Sequence, residues 1–129
     1  MICGKDQGYL VAFNRTRDRK VASRVGKADD HESRGRGLLG RASMDANEGL
    51  WIVLGEGLWI VPCPTIHTFF MKFAIDVLFL DKNLKVVRII ENMKPWRLSP
   101  WVYSAHSVLE LAGGVLKGSI SVGDQLEIA

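Results

Sequence analysis

The sequence feature that most constrains the fold is a long apolar stretch, residues 66–81, which reads IHTFFMKFAIDVLFLD. Strands usually span about five or six residues, so we expect a break or bulge near Phe73–Ala74. After the break, Ile75–Leu80 predicts a strand, Asp81–Asn83 a turn and Lys85–Glu91 the returning strand. The stretch therefore predicts two extended segments, with His67, Phe69 and Met71 on one face before the break and Asp76, Leu78 and Leu80 on one face after it. The second segment and the returning strand form a β-hairpin.

The remaining sequence consists mostly of short β-like runs between turn residues, at 8–13, 20–25, 107–111 and 125–128. Short helical segments are expected at residues 33–42 and 113–118, although glycines weaken the first. Many short strands with little helix are typical of a mostly β fold: a jelly-roll-like sandwich or half-open barrel with one or two short helices. The 129 residues fit a single domain, residues 1–129.

A six-residue motif, EGLWIV, occurs at residues 48–53 and again at 56–61. The offset is too short for a solenoid repeat. Two apolar runs separated by glycines favour a β-hairpin, whereas a local duplication without structural meaning is the alternative.

The net charge of +3 is unevenly distributed. Residues 1–41 contain ten Lys and Arg against five Asp and Glu. Such an excess can bind phosphates, but acids are interleaved and no aromatic residue alternates with the arginines, as stacking surfaces require. A solvated face is the favoured interpretation, and nucleic-acid binding is unlikely.

The N-terminus, MICGKDQGYL, lacks the pattern of a signal peptide, and no run reaches the ~18 apolar residues of a membrane helix. We therefore expect a cytoplasmic protein that binds no membrane. Cys3 and Cys63 form no disulfide framework or zinc motif. His67 and His106 lack partners at metal-ligand spacing, so neither a metal nor a cofactor is expected.

Several segments resemble the bacterial and archaeal family known as domain of unknown function 192. They are RGLLGR at 36–41, the block at 66–81, VLELAG at 108–113 and VGDQL at 122–126. The resemblance implies a mostly β, jelly-roll-like fold with a short helix or two, and it implies no activity. The repeated GLWIV departs from the family pattern, as does Ala74, where a polar residue or proline is usual.

Ionisable residues interrupt two apolar strands. Asp76 and Glu110 would each need a partner or neutralisation if buried, and Lys72 is the nearest candidate partner for Asp76. The first interpretation of the two acids is a buried structural network, ahead of ligand binding and catalysis. Trp96 lies in a proline-rich loop beside Arg97. The favoured interpretation is that it caps the edge of the core, ahead of stacking on a sugar or a partner chain.

Taken together, these residues predict a non-enzymatic binding module with a shallow polar cleft for a small polar ligand or a protein partner. The predicted cleft consists of His67, Lys72, Asp76, His106 and Glu110, with Arg41 and Trp96 at its rim. A hydrolase or isomerase that uses the same acids and histidines is the alternative. A second alternative is nucleic-acid or acidic-partner binding by the basic N-terminal third.

Overall fold

The computed structural model describes residues 9–28, 38, 40–53, 66–100, 102 and 104–129. Within these ranges the chain forms one seven-stranded sheet. The strands are β1 (Leu10–Asn14), β2 (Arg19–Ala28), β3 (Glu48–Val53), β4 (Ile75–Leu80), β5 (Val86–Met93), β6 (Ser107–Ala112) and β7 (Leu126–Ile128). Their order in the sheet is β5-β4-β6-β3-β2-β1-β7, and β2 with β3 is its parallel pair.

The sheet curls so that its first and last strands meet at one end. Lys85, just before β5, forms an antiparallel bridge with Gln125, just before β7. The Leu126 N–H donates to the Leu84 oxygen at 2.9 Å and extends this contact. Past this junction, the outer edge of β5 has no neighbouring strand in the described part of the chain. The result is a half-barrel with one closed end and one free edge.

Two groups of buried side chains occupy the two faces of the sheet. The inner cluster draws on strands from both ends of the sheet, which places it inside the curl; its members include Ala12, Val25, Leu78, Leu80, Leu109, Leu111 and Leu126. The outer cluster combines the other face of β4 and β6 with connecting segments; its members include Leu38, Met71, Ile75, Val77, Phe79, Val102 and Val108. Strand β4 is buried on both faces because it separates the two clusters.

Most of the expected strands are present, and the mostly β fold is confirmed. The hairpin of β4 and β5 forms as predicted, and β4 begins at Ile75, directly after the expected break. The chain before Ile75 is irregular rather than extended. Residues 113–118 form turns rather than helix, and most of 33–42 lies outside the described residues. No described segment is a helix of the length and apolarity needed to cross a membrane.

The first copy of EGLWIV is β3, and the second, residues 56–61, lies outside the described residues. Strand β3 pairs with β2 on one edge and with β6 on the other. Because a strand has only two edges, the predicted hairpin pairing along β3 is not formed.

We expect Gly113→Ala to destabilise the fold by about 1–3 kcal/mol. A Cβ at Gly113 would lie 2.8 Å from the backbone oxygen of Ala74, closer than such atoms are found in proteins. The Gly113 N–H also donates to that oxygen at 3.1 Å, so relieving the clash would weaken the hydrogen bond. The urea midpoint of unfolding measures the effect.

The matched control is Gly26→Ala, where a Cβ would find its nearest atom, in the Leu50 side chain, at 3.8 Å. This variant should be as stable as the parent or slightly more stable. Equal midpoints for the two variants would contradict the proposed close approach.

Candidate functional site

Asp76 and Glu110 lie on neighbouring strands but on opposite faces of the sheet. Asp76 stands opposite Leu111 of the inner cluster, whereas Glu110 stands opposite Val77 of the outer cluster. Directly opposite residues of an antiparallel pair project to the same face. The two acids therefore do not share a cleft, although the alternation of faces within each strand is as the sequence predicts.

The buried carboxylate of Asp76 binds backbone N–H groups from two separate segments. Its Oδ1 accepts from Asn92 at 2.7 Å and from Gly114 at 3.0 Å. Its Oδ2 accepts from Leu116 at 3.0 Å. Lys72 is exposed and is not the partner that the sequence suggested. Asp76 thus ties the end of β5 to the turns after β6, as a structural network would.

Glu110 is buried in apolar surroundings. Its neighbours across β3 and β4 are Leu50 and Val77. Its carboxyl group has no hydrogen-bond partner in the described part of the chain. Burial raises the pKa of Glu110 to about 7, because removal from water disfavours the charged form.

His106 and Arg41 lie apart from the other predicted site residues. The His106 side chain is exposed, and its backbone N–H donates to the oxygen of Leu80, at the far end of β4 from Ile75. Arg41 forms an ion pair with Glu48 at 2.9 Å. This hydrogen-bonded pair raises the pKa of Arg41 and lowers that of Glu48.

Several arginines of the basic N-terminal third are also bound within the protein. Arg15 pairs with Glu127 at 3.2 Å, and Arg17 with Asp124 at 2.7 Å. Arg24 contacts the carboxylate of Asp45 at 3.2 Å. Each of these arginines pairs with an acidic residue of the same chain. This pairing agrees with a solvated face.

The structure does bring His67 and Trp96 together, through the buried Thr68. The Thr68 hydroxyl donates to the Lys94 oxygen at 2.6 Å and accepts from the Arg97 N–H at 2.9 Å. The Thr68 oxygen accepts from the Trp96 N–H at 2.9 Å. One side chain thereby joins the segment before β4 to the segment after β5.

These two segments display an exposed group of large apolar side chains, which we call the aromatic patch. Its members are Phe69, Phe70, Trp96 and Leu98, with exposed fractions of 37%, 70%, 56% and 64%. The rings of Phe70 and Trp96 have centroids 4.6 Å apart, and His67 stacks on Phe69 at 5.0 Å. Trp96 is therefore a member of a surface cluster rather than a cap on the core.

The strict alternation of side chains expected before the break is wrong. Thr68 and Met71 are buried, whereas Phe69 and Phe70 are both exposed. A turn at Phe69–Phe70 interrupts the alternation, and Phe70 adopts a φ of 66°. The predicted site includes Trp96 but not Phe70, because adjacent phenylalanines in an apolar run normally indicate core.

Positively charged residues flank the aromatic patch. Lys72, Lys94 and Arg97 are exposed, and each lies within two residues of a patch member in the sequence. No ion pair to these three residues is formed within the described ranges. The patch is therefore apolar at its centre and cationic at its rim, a combination that suits an anionic or amphipathic partner.

We expect Asp76→Asn to lower the free energy of unfolding by about 2–3 kcal/mol. Backbone N–H groups occupy both carboxylate oxygens, so in either orientation the amide NH₂ would face a donor. Asp81→Asn is the control, since only its Oδ1 accepts and the amide oxygen can replace it. Chemical denaturation of both variants gives the comparison, and equal losses would contradict the network.

We expect Glu110 to make the protein less stable as the pH rises from about 4.5 to about 7. The unfolded carboxyl ionises near 4.5, whereas the folded one keeps its proton until about 7. Each pH unit between these values removes about 1.4 kcal/mol, so the total approaches about 3 kcal/mol. Well below pH 4.5 the carboxyl group is protonated in both the folded and the unfolded state, so it adds no pH dependence to the free energy of unfolding.

The measurement is urea unfolding of the parent and Glu110→Gln at pH 4.5, 6 and 8. The variant should gain stability relative to the parent at pH 8 and little at pH 4.5. Glu127→Gln, on the exposed side of β7, should leave the pH profile of the parent unchanged. A parallel profile for Glu110→Gln would disprove the effect of burial.

The chain is similar in sequence to uncharacterised proteins. The family model of domain of unknown function 192, described as Uncharacterized ACR, matches residues 12–128. A UPF0127 protein of Thermococcus sibiricus is 31% identical over 123 residues, which cover 91% of this chain and 73% of that protein. A UPF0127 protein of Pyrococcus furiosus is 36% identical over 76 residues, which cover 54% of this chain and 65% of that protein.

Two crystal structures show the same fold. A protein from Sinorhizobium meliloti, described as a candidate regulator of transcription, superposes with a TM-score of 0.78 at 24% identity over 92% of this chain and 91% of its own. A protein of unknown function from Novosphingobium aromaticivorans gives 0.75 at 20% identity over 92% and 83%. Because the family model covers most of the sequence, this chain belongs to the domain of unknown function 192 family.

Proposed function

We propose that this protein is a non-enzymatic binding module and that the aromatic patch is the surface with which it binds a partner. The observation that carries the proposal is the backbone conformation of the two most exposed aromatic residues of the patch. Phe70 and Trp96 have φ angles of 66° and 65°, in the left-handed region. Large aromatic residues seldom adopt this conformation.

The energetics favour a role other than stability. A left-handed backbone costs a residue with a side chain roughly 1–2 kcal/mol relative to glycine. Phe70 and Trp96 recover little of this cost by burial, because more than half of each residue is exposed. Strained residues of this kind are concentrated at functional sites, where neighbouring contacts hold them in place. Here Thr68 supplies those contacts through its hydrogen bonds to both segments.

The shape of the patch favours a macromolecular partner over a small polar ligand. Small ligands bind in concave sites that enclose most of their surface. The aromatic patch is instead formed by rings exposed on two adjoining segments, and exposed aromatic side chains are typical anchors in protein interfaces. The hydrogen bonds of Thr68 hold both segments before any partner arrives, which lowers the entropic cost of binding.

The separation of the acids supports binding rather than acid–base catalysis. A hydrolase or isomerase would need its acid and base near one reacting group. Asp76 and Glu110 face opposite sides of the sheet, and both oxygens of Asp76 already accept backbone hydrogen bonds. His106 lies at the other end of β4 from the segment that carries His67.

We expect Phe70→Gly to leave the free energy of unfolding unchanged within about 1 kcal/mol, or to raise it. Glycine adopts the left-handed conformation without strain, and the lost ring is mostly exposed. The comparison variant is Phe79→Ala, which removes a fully buried ring and should cost about 3–5 kcal/mol. Similar losses for both variants would mean that Phe70 is part of the core.

Binding itself is tested with a photo-crosslinking amino acid at position 70, in extract of the organism that makes the protein. We expect a discrete adduct of higher mass. The same probe at Val122, an exposed residue on the turn before β7, should give none. The Trp96→Gly change should weaken the adduct at position 70. No adduct, or the same adducts at both positions, would remove the proposal.

A further inference from the structure

A groove lies beside the aromatic patch, between strand β5 and the segment that follows it. It has a volume of about 370 Å³, and it lies between residues 88–94 and the segment 97–100. Arg97 and Leu98 border both the groove and the patch, so the two surfaces are continuous. The groove is therefore a second component of the surface to which we assign partner binding.

The charges that line the groove are mainly positive. Arg88, Lys94 and Arg97 contribute three cations, and no ion pair to them is formed within the described ranges. Glu91 is the acid among the lining residues, and its Oε2 accepts from the Gly118 N–H at 3.1 Å. The groove thus presents a net positive field that an acidic partner would neutralise.

Apolar groups lie between these charges. Ile90 and Met93 line the groove and belong to the outer cluster, while Leu98 and Pro100 line its other side. On β5 itself, Arg88 lies on the outer face opposite Phe79, whereas Ile89 lies on the inner face opposite Leu78. An extended peptide beside β5 would therefore place alternate side chains on a charged outer face and an apolar inner face.

The backbone of β5 offers hydrogen bonds as well. Strand β5 pairs with β4 on one side, and the contact with β7 involves its beginning, at Val86. Beyond Val86 the other side has no strand beside it in the described ranges. An unpaired strand edge can accept another strand. The bulge near Asn92, whose N–H turns to Asp76, restricts such pairing to the part of β5 before it.

We infer that the groove along β5 binds an acidic, extended peptide segment of a partner protein, which adds to the sheet as a further strand. Its carboxylates would face Arg88 and Arg97 on the outer side of the sheet, and its apolar side chains would lie on the inner side, beside Ile89. The inference rests on the proposed binding function and names the chemistry of the partner. Anionic membranes and single-stranded nucleic acid share the charge requirement but not the requirement for strand pairing.

The test uses a fluorescein-labelled octapeptide of alternating glutamate and valine, titrated with the full chain and followed by fluorescence anisotropy. We expect saturable binding that weakens as salt is added. An octapeptide of alternating lysine and valine should not bind. The glutamate peptide methylated on every backbone nitrogen should bind at least about tenfold more weakly, because it has no N–H group to donate to the strand edge.

Matched variants locate the site on the protein. The double change Arg88→Glu and Arg97→Glu should weaken binding at least about tenfold. The double change Lys20→Glu and Lys82→Glu alters the net charge equally at exposed positions outside the groove and should stay within about twofold of the parent. Thermal unfolding of both variants verifies that they are folded.

Three results would overturn the inference: no binding of the glutamate peptide, equal binding of its N-methylated form, or equal weakening by both double changes. Phosphatidylserine vesicles and oligo-dT are titrated in parallel, and binding of either one in place of the peptide also overturns it. An adduct at position 70 together with any of these results would leave the proposed function standing. Loss of that adduct with intact peptide binding would remove the proposed function of the patch and retain the groove.

Discussion

The buried carboxylate of Asp76 fixes the end of the half-barrel on which the rest of the described surface depends. A charge inside the inner cluster is tolerated there because three backbone N–H groups replace its water. Those donors come from Asn92, at the end of β5, and from Gly114 and Leu116 after β6. Gly113 adds its own hydrogen bond to Ala74, just before β4. Three strands are thus joined at one point.

From this fixed end two segments extend, one entering β4 and one leaving β5. They would be ordinary loops without Thr68, whose hydroxyl and backbone hold the two together. The hydrogen bonds of Thr68 therefore fix the position of exposed side chains that contribute little to the core. Phe70 and Trp96 occupy a strained backbone and remain exposed, so burial in the core does not offset the cost of their conformation.

Asp76 and Glu110 show that equivalent sequence signals can have different physical outcomes. Each is one acid within an apolar strand, and the two strands are neighbours. Asp76 keeps three hydrogen bonds, whereas Glu110 faces apolar side chains, and burial raises its pKa to about 7. The difference arises from which face of the sheet each residue occupies and from which loops fold over that face. Neither acid is part of the aromatic patch or the groove along β5.

The sequence by itself determined most of the strands, the β4–β5 hairpin, the break before Ile75 and the faces within β4 and β6. These features depend on local turn residues and on a period of two, both of which can be read along the chain. Tertiary structure decided the rest. The parallel pairing of β2 with β3, the separation of Asp76 from Glu110 and the joining of Thr68 to residues 94–97 all depend on contacts between distant segments. The exposure of Phe70 follows from one left-handed residue that interrupts the alternation, and apolar composition alone predicts the opposite.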